Sequence, residues 1–408
     1  MRHPELLLPA GSLPVLKTAV LYGADAVYIG GEVMSLRAKA KNFTADEMRE
    51  GIAFAHARGK KVYVTANIYA HEADLSEAER YFAELKELRP DAVLISDPGL
   101  FDLALRVCPE VDIHISTQAN TTNAGSARFW HRLGAKRIVA ARELSLKELR
   151  RMKEEIPEEL KIETFVHGAM CISYSGRCLL SNYLAGRDAN HGACTHPCRW
   201  RYAVMEETRP GEYMPIEENE RGTYIFNSRD LCMIDHLPDL YEAGIDSFKI
   251  EGRMKTALYV ATMASAYRAA MRDYETDPAL YESRLDEYRA RVSEGTYRRF
   301  TTGFYYGRPD RDALIYDSNT YIRSYTFLGI VEGVDADGRA ELTQKNKFSV
   351  GEMIEIMKPD GSVRTSEVRR ILDEEGTDLP SAPHPQQRIR VELDEAAEPF
   401  DLLRRREA

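Results

Sequence analysis

The chain has no apolar run near the eighteen or more residues that a membrane-spanning helix needs, no low-complexity tract, and no basic stretch followed by an apolar one at its start. A soluble, cytoplasmic protein is expected, with thiols kept reduced and disulfides disfavoured. Excess positive charge is also missing. At a net −10 over 408 residues, any nucleic acid would have to bind a local patch. There is no HExxH, the nearest run being HEADL at His71, and no GxSxG, so the common metalloprotease and serine-hydrolase motifs are absent. LLLPAGSLP, after the first apolar segment, is not the glycine-rich phosphate fingerprint of a dinucleotide-binding fold.

Cysteine is scarce, at six residues, yet Cys171, Cys178, Cys194 and Cys198 fall within one run, HGAMCISYSGRCLLSNYLAGRDANHGACTHPCRW, separated by six, fifteen and three residues. Gly176, Gly186 and Gly192 between them let the backbone fold round a common centre. Thiolates are soft ligands, so this layout selects zinc or an iron–sulfur cluster. Zinc knuckles place two to four residues between ligands, which fits only Cys194 to Cys198, with His191 and His196 available to complete such a site. The wider spacings suit a broader iron–sulfur cluster held from several loops. Cys232, in NSRDLCMIDHL, is a further candidate ligand, read first as a small buried residue on a helix between Leu231 and Met233. Cys108 has the same reading.

Through the first part of the chain short apolar segments recur behind similar phrases: YGADAVYIGG from Tyr22, RPDAVLISD from Arg89, LGAKRIVAAR from Leu133 and AGIDSFKIEG from Ala243. Amphipathic helices lie between them, with capping boxes at Thr44 to Glu47 and Ser76 to Glu79 and stops at Gly23 and Gly59. Eight strands are expected, at Glu5–Leu8, Ala26–Ile29, Lys61–Ala66, Ala92–Ile95, Ile113–Thr117, Arg137–Ala140, Lys161–Val166 and Ser247–Ile250. They predict an α/β fold, a (β/α)8 TIM-like barrel, with a doubly wound open sheet as the alternative.

Residues following barrel strands line the mouth where chemistry is sited. Here these are Glu32 and Arg37, Asn67, Asp97, Gln118 with Asn120, Arg142 with Glu143, Glu163 with His167, and Lys249, Glu251 and Arg253. Singly, each could be a solvated loop residue or a helix cap. The cysteine run begins directly after the seventh strand, inside an insertion of roughly eighty residues, far longer than an ordinary connection.

The expected organisation is a barrel domain over residues 1–275 with its insertion at about 167–245, a helical or irregular connector over 276–324, and a small all-β barrel over 325–400. A helix is predicted from Thr256 to Tyr274, and hairpins at Asp337-Gly338 and Asp360-Gly361. The Arg404 to Arg406 tail is expected to be a frayed, solvated end.

The cysteine run, with LLLPAGS, DAVYIGG, NSRDL and FKIEGRMK, resembles the collagenase-like peptidases, peptidase family U32, over nearly the whole chain. RPGEYMPIEENERGTYIFNSRDL and KNKFSVGEMIEIMKPDG are similar to segments of the family's tRNA-hydroxylating branch. That resemblance implies a four-iron, four-sulfur cluster on Cys171, Cys178, Cys194 and Cys198, with Cys232 in place of Cys198 in one branch. It further implies formation of 5-hydroxyuridine at the wobble position of tRNA, with prephenate as a source or cofactor.

Against that chemistry, Arg37, Arg142, Arg177 and Arg253 suit a carboxylate such as that of prephenate. Asn67, Gln118, Asn120 and Tyr174 suit the edge and face of a flipped uridine. Lys249 and Glu251 are further substrate-binding candidates. Glu163 and His167 are candidates to move protons beside Arg177, with His167 equally readable as a structural histidine fixing the turn into the cluster. Arg199, Arg201 and the Arg150, Arg151, Lys153 group could touch phosphates, the latter group reading also as a solvated helix face. Rival functions are the peptidase of the family's name and a non-catalytic iron–sulfur scaffold serving a protein partner.

Overall fold

The computed structural model describes residues 3–35, 42–170, 229–307 and 322–407, with Ser181, Thr195 and short stretches of strand backbone between 204 and 228 and at 314–315. Cys171, Cys178, Cys194, Cys198, Arg37, Tyr174, Arg177, His191, His196, Arg199 and Arg201 lie outside the described residues. The chain forms two compact units, one of residues 1–17, 25–254 and 298–321, the other of 18–24, 255–297 and 322–408.

The first unit is a closed parallel barrel. Strands β1 (Glu5–Pro9), β2 (Ala26–Gly30), β3 (Lys61–Ala66), β4 (Ala92–Ile95), β5 (Asp112–Ile115), β6 (Arg137–Val139) and β7 (Lys161–Ala169) pair in chain order. The strand Ser247–Ile250 then pairs parallel to both β7 and β1 and completes the ring. Closure rules out the open doubly wound sheet. The strands are nearly continuous apolar runs because both faces are covered, as in Ala26–Gly30 and Ala92–Ile95, buried throughout.

All eight expected strands are present. Strand β5 ends two residues early, at Ile115, because Ser116 turns the chain by accepting the Gln118 N–H and caps a short 3-10 turn at Thr117–Ala119. The helix Ala45–His56 starts on both halves of the Thr44–Glu47 capping box. The box expected at Ser76 does not form. A 3-10 turn at Glu72–Asp74 leads into the helix Leu75–Leu88, so Ser76 is already inside it, and the Asp74 carboxylate accepts the His71 N–H instead.

Beyond β7 the sheet is extended by Asp230–Cys232, antiparallel to the end of β7, and by Phe300–Thr301, parallel to that strand. Asp230, from the NSRDL motif, accepts from Arg298 Nη2 at 2.8 Å, Nε at 3.1 Å and the backbone N–H at 2.9 Å, and both side chains are buried. Cys232 therefore lies on a strand, half-buried and in register with His167, not on the expected helix. An extended backbone here satisfies the ladder that β7 offers, which local apolar flanks do not reveal. Cys108 is buried as expected, and burial pushes its thiol up to about 11.

The second unit contains the helix Ala257–Thr276, N-capped by Thr256, the helices Pro278–Ser283 and Leu285–Val292, and an antiparallel barrel. Its ring runs Met353–Met357, Leu402–Arg406, Tyr325–Val334, Ala340–Thr343, Arg388–Leu393, Val363–Leu372 and back to Met353–Met357, with Asp378–Leu379 appended. Register shifts at Phe327/Gly329, Val331/Gly333 and Val368/Arg370 bend the two longest strands so that six can close. The core is aliphatic, with Leu328, Ile354, Val368, Val391 and Leu403 buried around Phe348. Both predicted hairpin turns form, with Gly338 and Gly361 at φ +83°.

The Arg404–Arg406 tail is a strand and not a frayed end. Arg404 is 1% exposed, and its guanidinium stacks 4.0 Å from the Tyr325 ring centroid and donates to Glu355 and Glu294. Two carboxylates offset the cost of burying its charge. Among the described residues no helix is long and apolar enough to cross a membrane.

Candidate active site at the barrel mouth

Three motif glycines meet the segment that follows the closing strand. A Cβ on Gly30 would lie 2.2 Å from Arg253 Nη1, and one on Gly11 would lie 2.3 Å from the Arg253 carbonyl oxygen. Gly168, at φ +110°, leaves room for Glu251, whose carbonyl oxygen and Cβ would be 2.8 Å from a Cβ there. The LPAGS, YIGG, VHGA and IEGR segments thus converge on one rim. Arg253, buried there, donates through Nη1 to Ser35 Oγ at 2.6 Å and Thr65 Oγ1 at 3.0 Å.

Around that rim stand amides and an arginine. Asn67 follows β3 and donates weakly to Ser116 Oγ at 3.4 Å. The Gln118 carbonyl accepts from the Tyr69 hydroxyl and, at 2.9 Å, from Asn120 Nδ2, with Asn120 in the left-handed region at φ +51°. This turn pins the backbone of Gln118 and leaves its side chain to point elsewhere. Arg142 donates to the Ala169 carbonyl at 2.7 Å and stacks 3.8 Å from the Phe165 ring centroid. Asn67 Oδ1, Gln118 Oε1, Thr121 Oγ1 and Arg142 Nε are buried and hydrogen-bond to nothing among the described residues. Four such polar atoms around one barrel end suit a polar ligand.

His167, near the end of β7, is buried with its ring edge-on to Phe300, the centroids 5.5 Å apart. The returning segment is fixed by Tyr305, whose hydroxyl meets Thr164 Oγ1 at 2.5 Å and also donates to the Phe165 carbonyl.

Glu163 and Lys249 are not at the mouth. Each is the third residue of its strand and sits inside the barrel, where Lys249 Nζ donates to Glu163 Oε1 at 2.7 Å. Arg137 joins them, donating to Glu163 Oε2 at 2.8 Å and to Glu5 Oε1 at 2.6 Å, and Tyr63 donates to Glu5 Oε2 at 2.6 Å. Burial acts to raise the Glu163 carboxyl, but the adjoining ammonium and guanidinium outweigh it and hold it below its usual range. Burial lowers the Lys249 ammonium, opposed by Glu163. Two acids and two bases thus neutralise one another in the core, where a lone charge would be prohibitive.

Glu5, Arg137, Tyr63 and His114 were missed by reading only strand ends. Their signal was charged or polar residues inside otherwise apolar strands. Asp97 is a helix cap, accepting the Leu100 N–H at 3.0 Å. Glu32 is exposed, and Glu143 is half-buried with its carboxyl raised by burial. On the barrel's outer helix Arg150 pairs with Glu242, Arg151 with Glu155, and Lys153 with Asp246. Arg150 and Arg151 are exposed, as a solvated helix face requires, whereas Lys153 is nearly buried against Asp246 and the Leu160 carbonyl. Among the described residues no group of three or more His, Cys, Asp or Glu is placed to hold a metal ion.

A closed parallel barrel with polar side chains gathered at the carboxyl ends of its strands, followed in the chain by an antiparallel barrel, defines a TIM-like protein with a candidate site at the mouth. The chain belongs to peptidase family U32: that family's model matches residues 11–314, and the model of its C-terminal domain matches 323–404. It is 38% identical over 405 residues to tRNA hydroxylation protein P1 of Bacillus subtilis (strain 168), covering 99% of this chain and 95% of that one. It is also 38% identical to tRNA hydroxylation protein P of Escherichia coli (strain K12), over 94% of this chain and 92% of the other. To the 23S rRNA 5-hydroxycytidine C2501 synthase of Escherichia coli (strain K12) it is 34% identical, over 78% of this chain and 47% of that one.

Proposed function

We propose that the protein is a cytoplasmic tRNA-modifying enzyme that takes part in hydroxylating the wobble uridine to 5-hydroxyuridine, with the barrel mouth receiving the flipped base. The observation that carries this reading is the near full-length likeness to a tRNA hydroxylation protein. The mouth supports it, since Asn67 Oδ1 and Gln118 Oε1 are buried acceptors without a partner among the described residues, and the single N–H donor of a uracil edge would satisfy one of them. Tyr69 and Asn120 hold the Gln118 backbone, so these two position it.

Arg142, oriented by the Ala169 carbonyl and the Phe165 ring, is the proposed contact for a carboxylate such as that of prephenate. Cys171, Cys178, Cys194 and Cys198 would hold a four-iron, four-sulfur cluster, for which four thiolates are a fitting donor set, and the cluster when bound supplies one-electron transfer. His167 holds or moves a proton at the end of β7, immediately before the cysteine run. Glu163 acts at a distance from substrate, pairing with Lys249 and Arg137 to keep the barrel interior ordered.

Nucleoside analysis of tRNA by mass spectrometry in a strain lacking the gene tests this function. Loss of 5-hydroxyuridine and its derivatives, restored by the wild-type gene, is expected. An unchanged profile would overturn the reading and return a peptidase to first place.

A further inference from the structure

The second unit contains a cavity of about 400 Å³ that the mouth chemistry does not use. One wall is the helix Ala257–Thr276, which presents Ser265, Arg268 and Arg272 at helical spacing. The opposite wall is Arg284 with Tyr288 and Arg291 of the next helices, and the hairpin turn at Asp360-Gly361 closes a third side. Its four basic side chains are all arginines, whose planar forks match phosphate oxygens bidentately where lysine offers a point charge.

The acids present do not cancel this set. Asp273 is buried and already accepts from Arg284 at 2.9 Å, Arg272 at 3.3 Å and the Tyr288 hydroxyl at 2.7 Å, bracing one guanidinium on its own helix and one at the junction of the next two. Asp360 is turned to its own hairpin, accepting the Ser362 N–H at 2.8 Å. Glu287 is exposed at the edge. Arg268 Nε donates to the Gly23 carbonyl at 2.8 Å, which fixes its direction. Arg291 is half-buried, its side chain makes no hydrogen bond or ion pair among the described residues, and its Nη1 stands 3.4 Å from where a Gly361 Cβ would be. The turn's glycine therefore leaves the space beside Arg291 open.

We propose that this pocket binds a backbone phosphate of the RNA substrate, giving the C-terminal unit of an otherwise acidic protein its local anchoring point. The proposal rests on the reading of tRNA as substrate, and it assigns recognition away from the reacting base, where a contact is indifferent to sequence.

The test is fluorescence anisotropy of labelled tRNA with the full-length protein across a series of KCl concentrations, for wild type, Arg291→Ala, Arg291→Glu and the control Arg128→Ala on the barrel's outer surface. Arg291→Ala should weaken binding by roughly five- to tenfold and reduce the slope of log affinity against log salt by about one, as loss of a single phosphate contact requires. Arg291→Glu should weaken it further, and Arg128→Ala should match wild type. Melting temperatures should agree, and hydroxylation by Arg291→Ala should show a raised KM for tRNA with kcat retained. Unchanged affinity and slope in both Arg291 variants would overturn the pocket while leaving the function reading intact. Retained tRNA affinity with loss of inorganic phosphate or poly-glutamate binding would overturn it in favour of a small anion or an acidic peptide. A wild type that binds no tRNA overturns both, whereas Arg291-dependent tRNA binding without hydroxylation overturns only the function.

Discussion

Gly30 and Arg253 are a matched pair: the guanidinium occupies the space where a side chain on residue 30 would begin, with Nη1 2.2 Å from an ideal Cβ. Arg253 is thereby held on Ser35 and Thr65, and the end of β2 is tied to the closing strand across the barrel rim.

Gly30→Ala should therefore expel the guanidinium. A loss of about 1–3 kcal/mol, the usual cost of overpacking, is expected, read as a lower midpoint in urea denaturation. Hydroxylation should fall by more than stability explains, because the rim itself shifts. A variant with wild-type midpoint and activity would contradict the tight approach.

Gln118→Ala should leave the fold intact, since the Gln118 amide makes no hydrogen bond among the described residues through Oε1. Losing one substrate hydrogen bond of about 1–3 kcal/mol lowers kcat/KM by roughly five- to 150-fold. Tyr69→Phe removes the bond to the Gln118 carbonyl and should give a smaller loss of the same kind. Steady-state kinetics on tRNA transcripts would check the order, and a larger effect at Tyr69 would argue against Gln118 as the contact.

Acid should destabilise the barrel in two steps. His114 is packed edge-on against Tyr63 at 4.7 Å, and burial, then Arg137 and Lys249, push its pKa well below the ordinary value. The unfolded chain takes up a proton below about pH 6.5 that the folded chain refuses, so stability falls as pH drops through that region. The Glu163 carboxyl, held low by Lys249 and Arg137 against its burial, contributes stability above the unfolded carboxylate value of about 4.3 that is lost as pH falls further. Urea midpoints measured from neutral to acid pH should decline in both windows. In His114→Gln the first decline should vanish and the second persist, and an unaltered first decline would count against His114.

Anaerobically purified protein should be brown, with iron and sulfide in equal amounts and a broad visible absorption that Cys171→Ala abolishes. A colourless protein carrying a single zinc would sink the cluster. Cys232→Ala should keep the colour if Cys198 is the fourth ligand, and lose it if the strand Asp230–Cys232 supplies the thiolate.

Much of the architecture follows from local pattern. Each barrel strand is an apolar run introduced by Gly or Pro, each long helix announces itself by periodicity, and the two Asp-Gly hairpins are dictated by residues adjacent in the chain. Such features need no distant partner, so the sequence alone determined them, as it determined that four thiolates lie in one run. Which charges are buried was decided elsewhere. Glu163 looked like a mouth residue because Arg137 and Glu5, 132 residues apart, meet only after the barrel closes. Arg404 looked like a frayed end because its partners Glu294 and Glu355 lie 110 and 49 residues away. Cys232 became a strand residue only because β7 offered an unpaired edge. A charge or a backbone edge finds its lowest free energy through the group that neutralises or pairs it, and only tertiary structure brings that group into reach.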